Sequence, residues 1–408
     1  EWPMMGRGAA LQHHRTVFDA WRSISIALYM ALVGYGVLVG IPVISTAWVE
    51  LLGFTEVEVG RVAGADLGGL SLGAILASLL VHRFNRRVLV LLAVALSVLS
   101  NGLCTIYVAY EQVLLLRISA GLASGLYTAV AVSNLGASSH PARAFNMMLF
   151  AFAFSQALEM HILPQLSMNG IYGVFIGCFL TTLLFLRWIP PYPVDPGLDV
   201  EVDVEEPTGA HHVEHKLVPT YVPWLVLCAI FATYVNIGAY WTYVELASHD
   251  AGVADEWISR VLTWGSFCSL LGCLVATLLS NRFGLARPLF GALIAMASVV
   301  GMLSNGIGYN NVVVSVFSFN LLWVFIDVYQ MASVANVDHS GRYASLIPGA
   351  QGLGQIAGPN IAASLLAAEL GYSAVFVMCA GAALTGLAIY ALMYLYLRRS
   401  IPALADAS

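Results

Sequence analysis

Residues 73–84 read GAILASLLVHRF, and residues 272–283, about half a chain length later, read GCLVATLLSNRF. The same shift aligns the dipeptide Arg61-Val62 with Arg260-Val261. Further matches pair Leu99-Ser100-Asn101-Gly102 with Leu303-Ser304-Asn305-Gly306, His140 and Arg143 with His339 and Arg342, and Val174-Phe175 with Val375-Phe376. A repeat of this length predicts two similar structural units in parallel orientation.

The composition indicates a membrane protein. Of the 408 residues, 59% are hydrophobic and only 10% are charged, whereas a soluble protein carries about a quarter charged residues. The net charge of -6 leaves no basic surface to neutralise phosphates, so we expect no nucleic-acid partner. All six cysteines lie in apolar runs, where cysteine behaves as a small hydrophobic residue, and we expect neither disulfides nor a metal cluster.

Twelve stretches are long enough, at roughly 20 residues each, to cross the hydrocarbon core as helices. They are predicted at 24–47, 59–81, 88–109, 113–135, 145–168, 170–190, 219–246, 257–280, 288–307, 312–335, 343–367 and 371–396. The long polar connection at 191–218 is acidic and has no basic residue before Lys216. The sequence therefore predicts an all-α membrane protein with an N-terminal six-helix bundle (1–190), an acidic linker (191–218) and a C-terminal six-helix bundle (219–408).

Basic residues predict the orientation. With the N-terminus in the cytoplasm, all but three of the 17 basic residues lie on the cytoplasmic side. Arg61 and Arg260 lie outside, and Arg117 lies within a span. Because cytoplasmic loops of membrane proteins carry an excess of lysine and arginine, we expect both termini and the linker in the cytoplasm.

Two motifs resemble the major facilitator superfamily of secondary transporters, and the resemblance extends over essentially the whole chain. Residues 83–87 (RFNRR) resemble the family's cytoplasmic loop motif GxLaDRxGRR, residues 282–284 (RFG) are a weaker copy, and Arg117, Gly121 and Gly125 match RxxxGxxxG. The resemblance implies alternating access around a central cavity, with gating-loop residues at Arg83, Arg86, Arg87 and Arg282. The aspartate of the loop motif falls on His82 and on Asn281, so the usual charge pairing through it is not expected.

Three charged residues within the spans are candidates for proton coupling. Asp66, Arg117 and Glu159 are predicted at similar depths, about 21 to 27 Å from the cytoplasmic side at a rise of ~1.5 Å per residue. An ionisable group inside a membrane costs free energy and usually faces protein or a water-filled cavity. Exchange of protons at Asp66 or Glu159, with Arg117 tuning one of them or holding an anionic group, is one interpretation. The alternative is static pairing between helices.

Polar and aromatic residues in four spans are candidates for lining the cavity. The repeat aligns Gln156 with Gln355 and Glu159 with Gly358, and the resemblance implies that the spans of Asn236 and Asp327 face the cavity. The full set is His161, Gln156, Asn236, Tyr240, Trp241, Asn320, Asp327, Gln330 and Gln355. Such a lining suits a partly apolar organic ligand. For Tyr240 and Trp241 the alternative is the aromatic belt at the membrane interface.

The sequence thus predicts a secondary transporter of a small organic solute, coupled to protons, with uptake by symport slightly favoured. The alternatives are proton-antiport efflux of drugs or metabolites, and a solute sensor that transports nothing. Family antiporters carry a Gly-Pro motif in the fifth span, where this chain has Glu159-Met160. We expect no enzyme activity, cofactor or metal, and a monomer in the plasma membrane, the inner membrane of a bacterium. Histidines 211, 212 and 215 of the linker are interpreted as part of a flexible segment.

Overall fold

The computed structural model describes residues 17–81, 83–138, 141–191, 219, 221–279, 284–337, 343 and 346–400. All regular elements in these ranges are helical. The N-terminal half contains α1 (Trp21–Gly34), α2 (Gly36–Leu52), α3 (Glu56–Leu80), α4 (Arg86–Cys104), α5 (Tyr110–Gly136), α6 (Pro141–Ile162) and α7 (Met168–Leu184). The C-terminal half contains α8 (Val222–Asp250), α9 (Asp255–Ser266), α10 (Cys268–Leu279), α11 (Ala286–Gly301), α12 (Tyr309–Val337), α13 (Ile347–Ala367) and α14 (Gly371–Ser400).

These helices correspond to the twelve predicted spans. The first span consists of α1 and α2, which meet at Tyr35, and the eighth consists of α9 and α10, which meet at Phe267. The observed ends differ from the predicted ones by several residues, as for the second span, which begins at Glu56. The predicted linker lies at 191–218, and residues 192–218 of it are outside the described residues, as are Arg282, His82 and Asn281.

Ten helical segments among the described residues are long and apolar enough to cross a membrane. Helix α7 is apolar but has only 17 residues. Helix α13 has 21 residues, and glycine together with Gln351, Gln355 and Asn360 lowers its hydropathy. A helix of this composition fits a position between other helices, where small residues allow close approach and polar groups find partners.

Local sequence signals explain where the helices begin and end. Helix α3 starts with a capping box, in which Thr55 Oγ1 accepts a hydrogen bond from Glu58 N while the Glu58 carboxylate accepts one from Thr55 N. Such a box satisfies two backbone N–H groups that the first turn leaves unpaired. The preceding helix, α2, ends at Gly53, whose φ of 73° is favourable only for glycine.

The glycines of the RxxxGxxxG pattern form the packing surface between α5 and α3. A Cβ at Gly121 would collide with the backbone oxygen of Asp66, and a Cβ at Gly125 would collide with that of Leu70. Small residues that let helix backbones approach closely are a common device for helix association in membranes. The pattern therefore lets α3 and α5 pack closely within the N-terminal half.

Candidate functional site

A cavity of about 1090 Å³ lies between the two halves. Its wall comes from α2, α3, α5 and α6 of the first half and from α8, α10, α12 and α13 of the second. Most lining residues are apolar. The aromatic, amide and acidic ones are Tyr35, Asn146, Phe150, Phe152, Gln156, Tyr234, Asn320, Trp323, Asp327, Gln351 and Gln355, and the hydroxyl-bearing ones are Ser71, Ser78, Thr128, Ser133, Ser269 and Thr277. A large, mostly apolar cavity with few polar groups is typical of a site for an organic ligand.

The cavity extends to one end of the molecule. Its lining includes Val81 after α3, Thr277 near the end of α10 and Pro348 at the start of α13. We call this end of the helix bundle the open end. In the orientation that the basic residues predict, the open end faces the cytoplasm.

The opposite end, where α2, α6 and α8 finish, is closed by contacts between the halves. Arg61 of α3 donates hydrogen bonds of 3.0 and 2.9 Å to the backbone and side-chain oxygens of Asn360, and a third of 3.0 Å to Ser364 Oγ. A Cβ at Gly60 would collide with Tyr243 Oη, so α3 approaches the second half very closely here. We call this end the closed end.

Three further bonds between the halves support the closure. Tyr243 Oη donates to the backbone oxygen of Glu56 at 2.6 Å, and Trp241 Nε1 donates to that of Val39 at 3.2 Å. Ser259 Oγ donates a longer bond of 3.4 Å to the oxygen of Met160. The two halves are therefore tied together at the closed end and separated by the cavity at the other.

Two pairs of polar side chains stand in the cavity wall. Gln156 Nε2 of the first half donates to Asn320 Oδ1 of the second half at 2.9 Å. Tyr234 Oη donates to Asp327 Oδ1 at 2.6 Å, and Trp323 Nε1 lies 3.5 Å from the same tyrosine oxygen. Of the predicted cavity residues, Gln156, Asn320, Asp327 and Gln355 line the cavity.

The other five predicted cavity residues do not line it in this conformation. His161 is exposed near the end of α6. The remaining four are buried. The Tyr240 hydroxyl bonds to Ser315 Oγ at 2.8 Å, and Gln330 donates to Thr233 Oγ1 at 2.9 Å. The ring of Trp241 stacks on Phe319. Asn236 is fully buried. A helix that contributes to the wall turns only one of its faces to the cavity, and the sequence did not identify which face that is.

Full burial of Tyr240 and Trp241 also argues against the alternative that they form an interfacial belt. Their exposed fractions are 0% and 1%. Both rings pack on Phe319, at centroid distances of 4.2 and 5.6 Å. Tyr240 is part of the interior of the second half, whereas Trp241 lies where the two halves meet, since its Nε1 donates to the backbone oxygen of Val39.

Asp66 and Arg117 form a sealed ion pair inside the first half. Arg117 Nε donates to Asp66 Oδ2 at 2.6 Å, and Arg117 Nη1 donates to Asn101 Oδ1 at 2.7 Å. The exposed fraction of the side chain is 2% for Arg117 and 1% for Asp66. Neither residue lines the cavity. This geometry corresponds to static pairing between helices, which the sequence analysis kept as the alternative to proton exchange.

Glu159 lies away from that pair, between α6 and the glycine face of α2. A Cβ at Gly36 or Gly40 would meet a carboxylate oxygen of Glu159. Ser155 Oγ lies 3.5 Å from Glu159 Oε1, and Oε2 is buried with no hydrogen-bond partner among the described residues. The carboxyl group does not line the cavity in this conformation.

The described gating-loop arginines act within the first half. Arg86 Nη1 donates to Asn134 Oδ1 at 2.5 Å. Arg87 donates to the backbone oxygens of Ile189 and Arg187 at 2.7 and 2.9 Å. Both side chains join the start of α4 to other parts of the first half, at the open end. Arg83 is exposed, and Arg282 is outside the described residues.

Sequence reasoning missed several residues of the wall. Tyr35 and Phe152, whose ring centroids lie 5.5 Å apart, and Trp323 and Asn146 all line the cavity. Trp323 lies four residues before Asp327 on a helix, and residues at this spacing share a face. This spacing was a signal that pointed to Trp323. Tyr35 lies at the break between α1 and α2, and the sequence analysis did not predict this break.

Comparison with known proteins identifies the fold. A family model described as Major Facilitator Superfamily matches residues 24–359. No sequence among the curated proteins compared matches the chain. Two crystal structures of the nucleoside transporter NupG, one of a mutant, are similar with TM-scores of 0.71 and 0.68 at 12% identity, covering 91% of this chain and 98% of theirs. The crystal structure of a D-xylose-proton symporter has a TM-score of 0.69 at 16% identity and covers 90% of this chain and 97% of its own.

Proposed function

Because the chain belongs to the major facilitator superfamily, we propose that this secondary transporter carries a small organic solute through the cavity between its halves, in symport with protons. It is a multi-pass integral membrane protein. The proposed working unit is a monomer. The proposed location is the inner membrane of a bacterium.

One observation carries the proposal. The cavity is open at one end and closed at the other by bonds between the halves, including those from Arg61 to Asn360. Alternating access consists largely of rocking one half against the other around a central binding site. The structure has the form of one of the two states that this cycle requires, with the solute site accessible from the open end.

The proposed solute site is the part of the wall where side chains from both halves meet. Gln156 of α6 and Asn320 of α12 bond to each other there, and Gln355 of α13 lines the same cavity. A solute that bonds to residues on both halves interacts differently with the two states, and only such a difference shifts their populations. Binding at this junction therefore couples the solute to the movement.

For proton coupling, the positions of the acids favour Glu159 over Asp66. The charge of Asp66 is matched by Arg117 within a sealed pair. The described residues place no basic group in an ion pair with Glu159, and one of its oxygens is buried without a partner. An ionised carboxylate in such a place costs free energy that protonation removes. Proton binding at Glu159 would change how α6 packs on α2.

Symport is the proposed direction, and antiport efflux is its rival. The similarity to a D-xylose-proton symporter supports symport as a mode of this fold. At 16% identity it carries no information on the solute. Direction therefore has to come from the response of solute flux to a pH gradient.

The test begins with a thermal-shift screen of the purified protein against sugars, nucleosides, organic acids, amino acids and organic cations. Flux of the best binder is then measured in proteoliposomes with a pH gradient imposed in each direction. Accumulation that follows inward proton flow supports the proposal. Accumulation against proton flow establishes antiport instead. Binding without any flux would make the protein a sensor and overturn the proposal.

A further inference from the structure

We propose that the cavity selects an organic cation, in which a positively charged nitrogen pairs with Asp327 and an aromatic or apolar body lies against the nearby rings. The inference rests on the proposed transport function and names the class of its solute. It makes Asp327 the residue that determines specificity for charge.

The charges in the cavity wall carry the inference. Among the described residues, Asp327 is the only aspartate or glutamate that lines the cavity, and no lysine, arginine or histidine lines it. The described residues form no ion pair with Asp327 either. A single unpaired carboxylate in an apolar wall produces a negative potential that is only weakly screened. A cation gains from this potential, whereas an anion is repelled.

Two neighbours hold the carboxylate in place without neutralising it. Tyr234 Oη donates to Asp327 Oδ1 at 2.6 Å. Trp323 Nε1 lies 3.5 Å from the tyrosine oxygen. Both donors are neutral: Tyr234 orients the carboxylate and Trp323 orients the tyrosine, so the charge of an ionised Asp327 is left without a cationic partner. A carboxylate whose position is fixed by its neighbours loses little conformational freedom when it binds a ligand.

The rings near Asp327 suit the rest of such a solute. Tyr35, Phe152, Tyr234 and Trp323 line the same cavity. The ring of Trp323 also packs on Phe319 and Trp241, at centroid distances of 5.7 and 6.0 Å. This packing fixes it as a flat surface. A cation over an aromatic ring gains further attraction from the π-electrons.

A polyhydroxylated solute fits this wall less well. Each hydroxyl group of such a solute that enters the cavity without a hydrogen-bond partner costs free energy. The described wall offers five amides, those of Asn146, Gln156, Asn320, Gln351 and Gln355, and Gln156 and Asn320 are already bonded to each other. The hydroxyl groups of the wall at Ser71, Ser78, Thr128, Ser269 and Thr277 donate to backbone oxygens three or four residues earlier in the chain. The aromatic and apolar residues make up most of the remainder. The chemistry of the wall therefore favours one charge and a hydrophobic body over many hydroxyls.

Ligands that share one scaffold and differ only in charge provide the test. The probes are 1-naphthylmethylamine, which is cationic at neutral pH, the neutral 1-naphthalenemethanol and the anionic 1-naphthylacetate. Their affinities for the full-length purified protein are measured by isothermal titration calorimetry. We expect the amine to bind the wild type at least about tenfold more tightly than the alcohol, because a close charge pair with the carboxylate raises the affinity by about tenfold or more.

Variants assign the preference to the residue. In Asp327→Asn, which keeps the size of the side chain, we expect the preference for the amine to disappear while the alcohol binds as before. Glu256→Gln is the matched control, since this acid is 89% exposed and its loss removes a charge without touching the cavity. Asp327→Glu should keep the preference, so a poorly folded Asp327→Asn does not prevent a decision.

The outcomes separate this inference from the transport proposal. Equal affinity for the three probes, tightest binding of the acid, or a preference for the amine that survives in Asp327→Asn would overturn the inference. None of these results would contradict the transport proposal, which would still be supported by flux of a neutral or anionic solute in proteoliposomes. A cation preference at Asp327 combined with no flux of any bound compound would instead leave the inference standing and overturn transport.

Discussion

Gln156 of α6 donates a hydrogen bond of 2.9 Å to Asn320 of α12, and this bond joins the two halves within the cavity wall. Both side chains are buried, with exposed fractions of 6% and 1%. We expect this bond to break or change partners when the halves rock apart at the closed end. It is therefore part of what stabilises the observed state.

The first prediction concerns this bond. Gln156→Met removes the donor and should destabilise the observed state by about 0.5–1.5 kcal/mol, the usual contribution of such a bond. We expect the population with the closed end open to rise by up to about tenfold. The distance between spin labels on residues 105–109 and 306–308, in a background without the native cysteines, measures that population. Gln165→Met is the control, because Gln165 is exposed and bonds only within its own segment. An unchanged distance distribution in Gln156→Met would contradict the prediction.

The second prediction uses the internal repeat to supply its own control. Arg61 bonds across the halves to Asn360 and Ser364. Its repeat counterpart Arg260 is 71% exposed and lies 3.8 Å from Glu256 on its own helix. Arg61→Gln should therefore shift the same label distances toward opening at the closed end and alter transport, whereas Arg260→Gln should leave both unchanged. Equal effects of the two variants would show that Arg61 has no special role in closure.

The third prediction tests close approach of the halves. A Cβ at Gly60 would collide with the Tyr243 hydroxyl and with the backbone oxygen of Pro359. Gly60→Val should prevent closure, hold the closed end apart and abolish solute flux. Gly177→Val is the matched control, since a Cβ at Gly177 meets nothing within 4 Å. Normal flux in Gly60→Val would mean that the halves close without this contact.

The repeat and the glycine pattern made the architecture predictable from sequence. Apolar runs of membrane-spanning length gave the twelve spans. Gly121 and Gly125, which the match to RxxxGxxxG singled out, pack against α3. Such signals are local or periodic, so they are readable without coordinates. The break at Tyr35 and the short length of α7 were not evident, because helix ends depend on tertiary packing as well as on local propensity.

The site was predictable only in part. Depth along the spans placed Asp66 and Arg117 in one layer, and the structure brings them into contact. Depth alone also grouped Glu159 with them, although it lies on α6 against Gly36 and Gly40. Position along a helix fixes how deep a side chain lies. It does not fix the direction in which the side chain points, because that depends on how the helix is rotated in the bundle.

The fourth prediction concerns the buried ion pair. Asp66→Asn leaves the charge of Arg117 without its partner, and removal of one member of a buried pair costs about 3–5 kcal/mol. We expect a clearly lower unfolding temperature for Asp66→Asn and for Arg117→Gln in detergent, and a substantial recovery in the double variant, which contains no uncompensated charge. The measurement is thermal unfolding of the purified variants. Single variants as stable as the wild type would rule out a structural role for the pair.

The fifth prediction addresses proton coupling at Glu159. The carboxyl group lies between α6 and the glycine face of α2, with no ion-pair partner among the described residues. The amide of Glu159→Gln imitates the protonated acid, keeps its size and cannot release a proton. We therefore expect this variant to lose accumulation driven by a pH gradient while it retains exchange of solute between compartments of equal pH. Glu111→Gln, which changes an exposed acid in the first turn of α5, should retain both activities. If Glu159→Gln still accumulates solute down a proton gradient, the coupling proton binds elsewhere, and Asp327 in the cavity wall becomes the next residue to substitute. A variant that loses exchange as well would show instead that the carboxylate supports the packing of α2 on α6, because exchange requires the movement of the halves but no net transfer of protons.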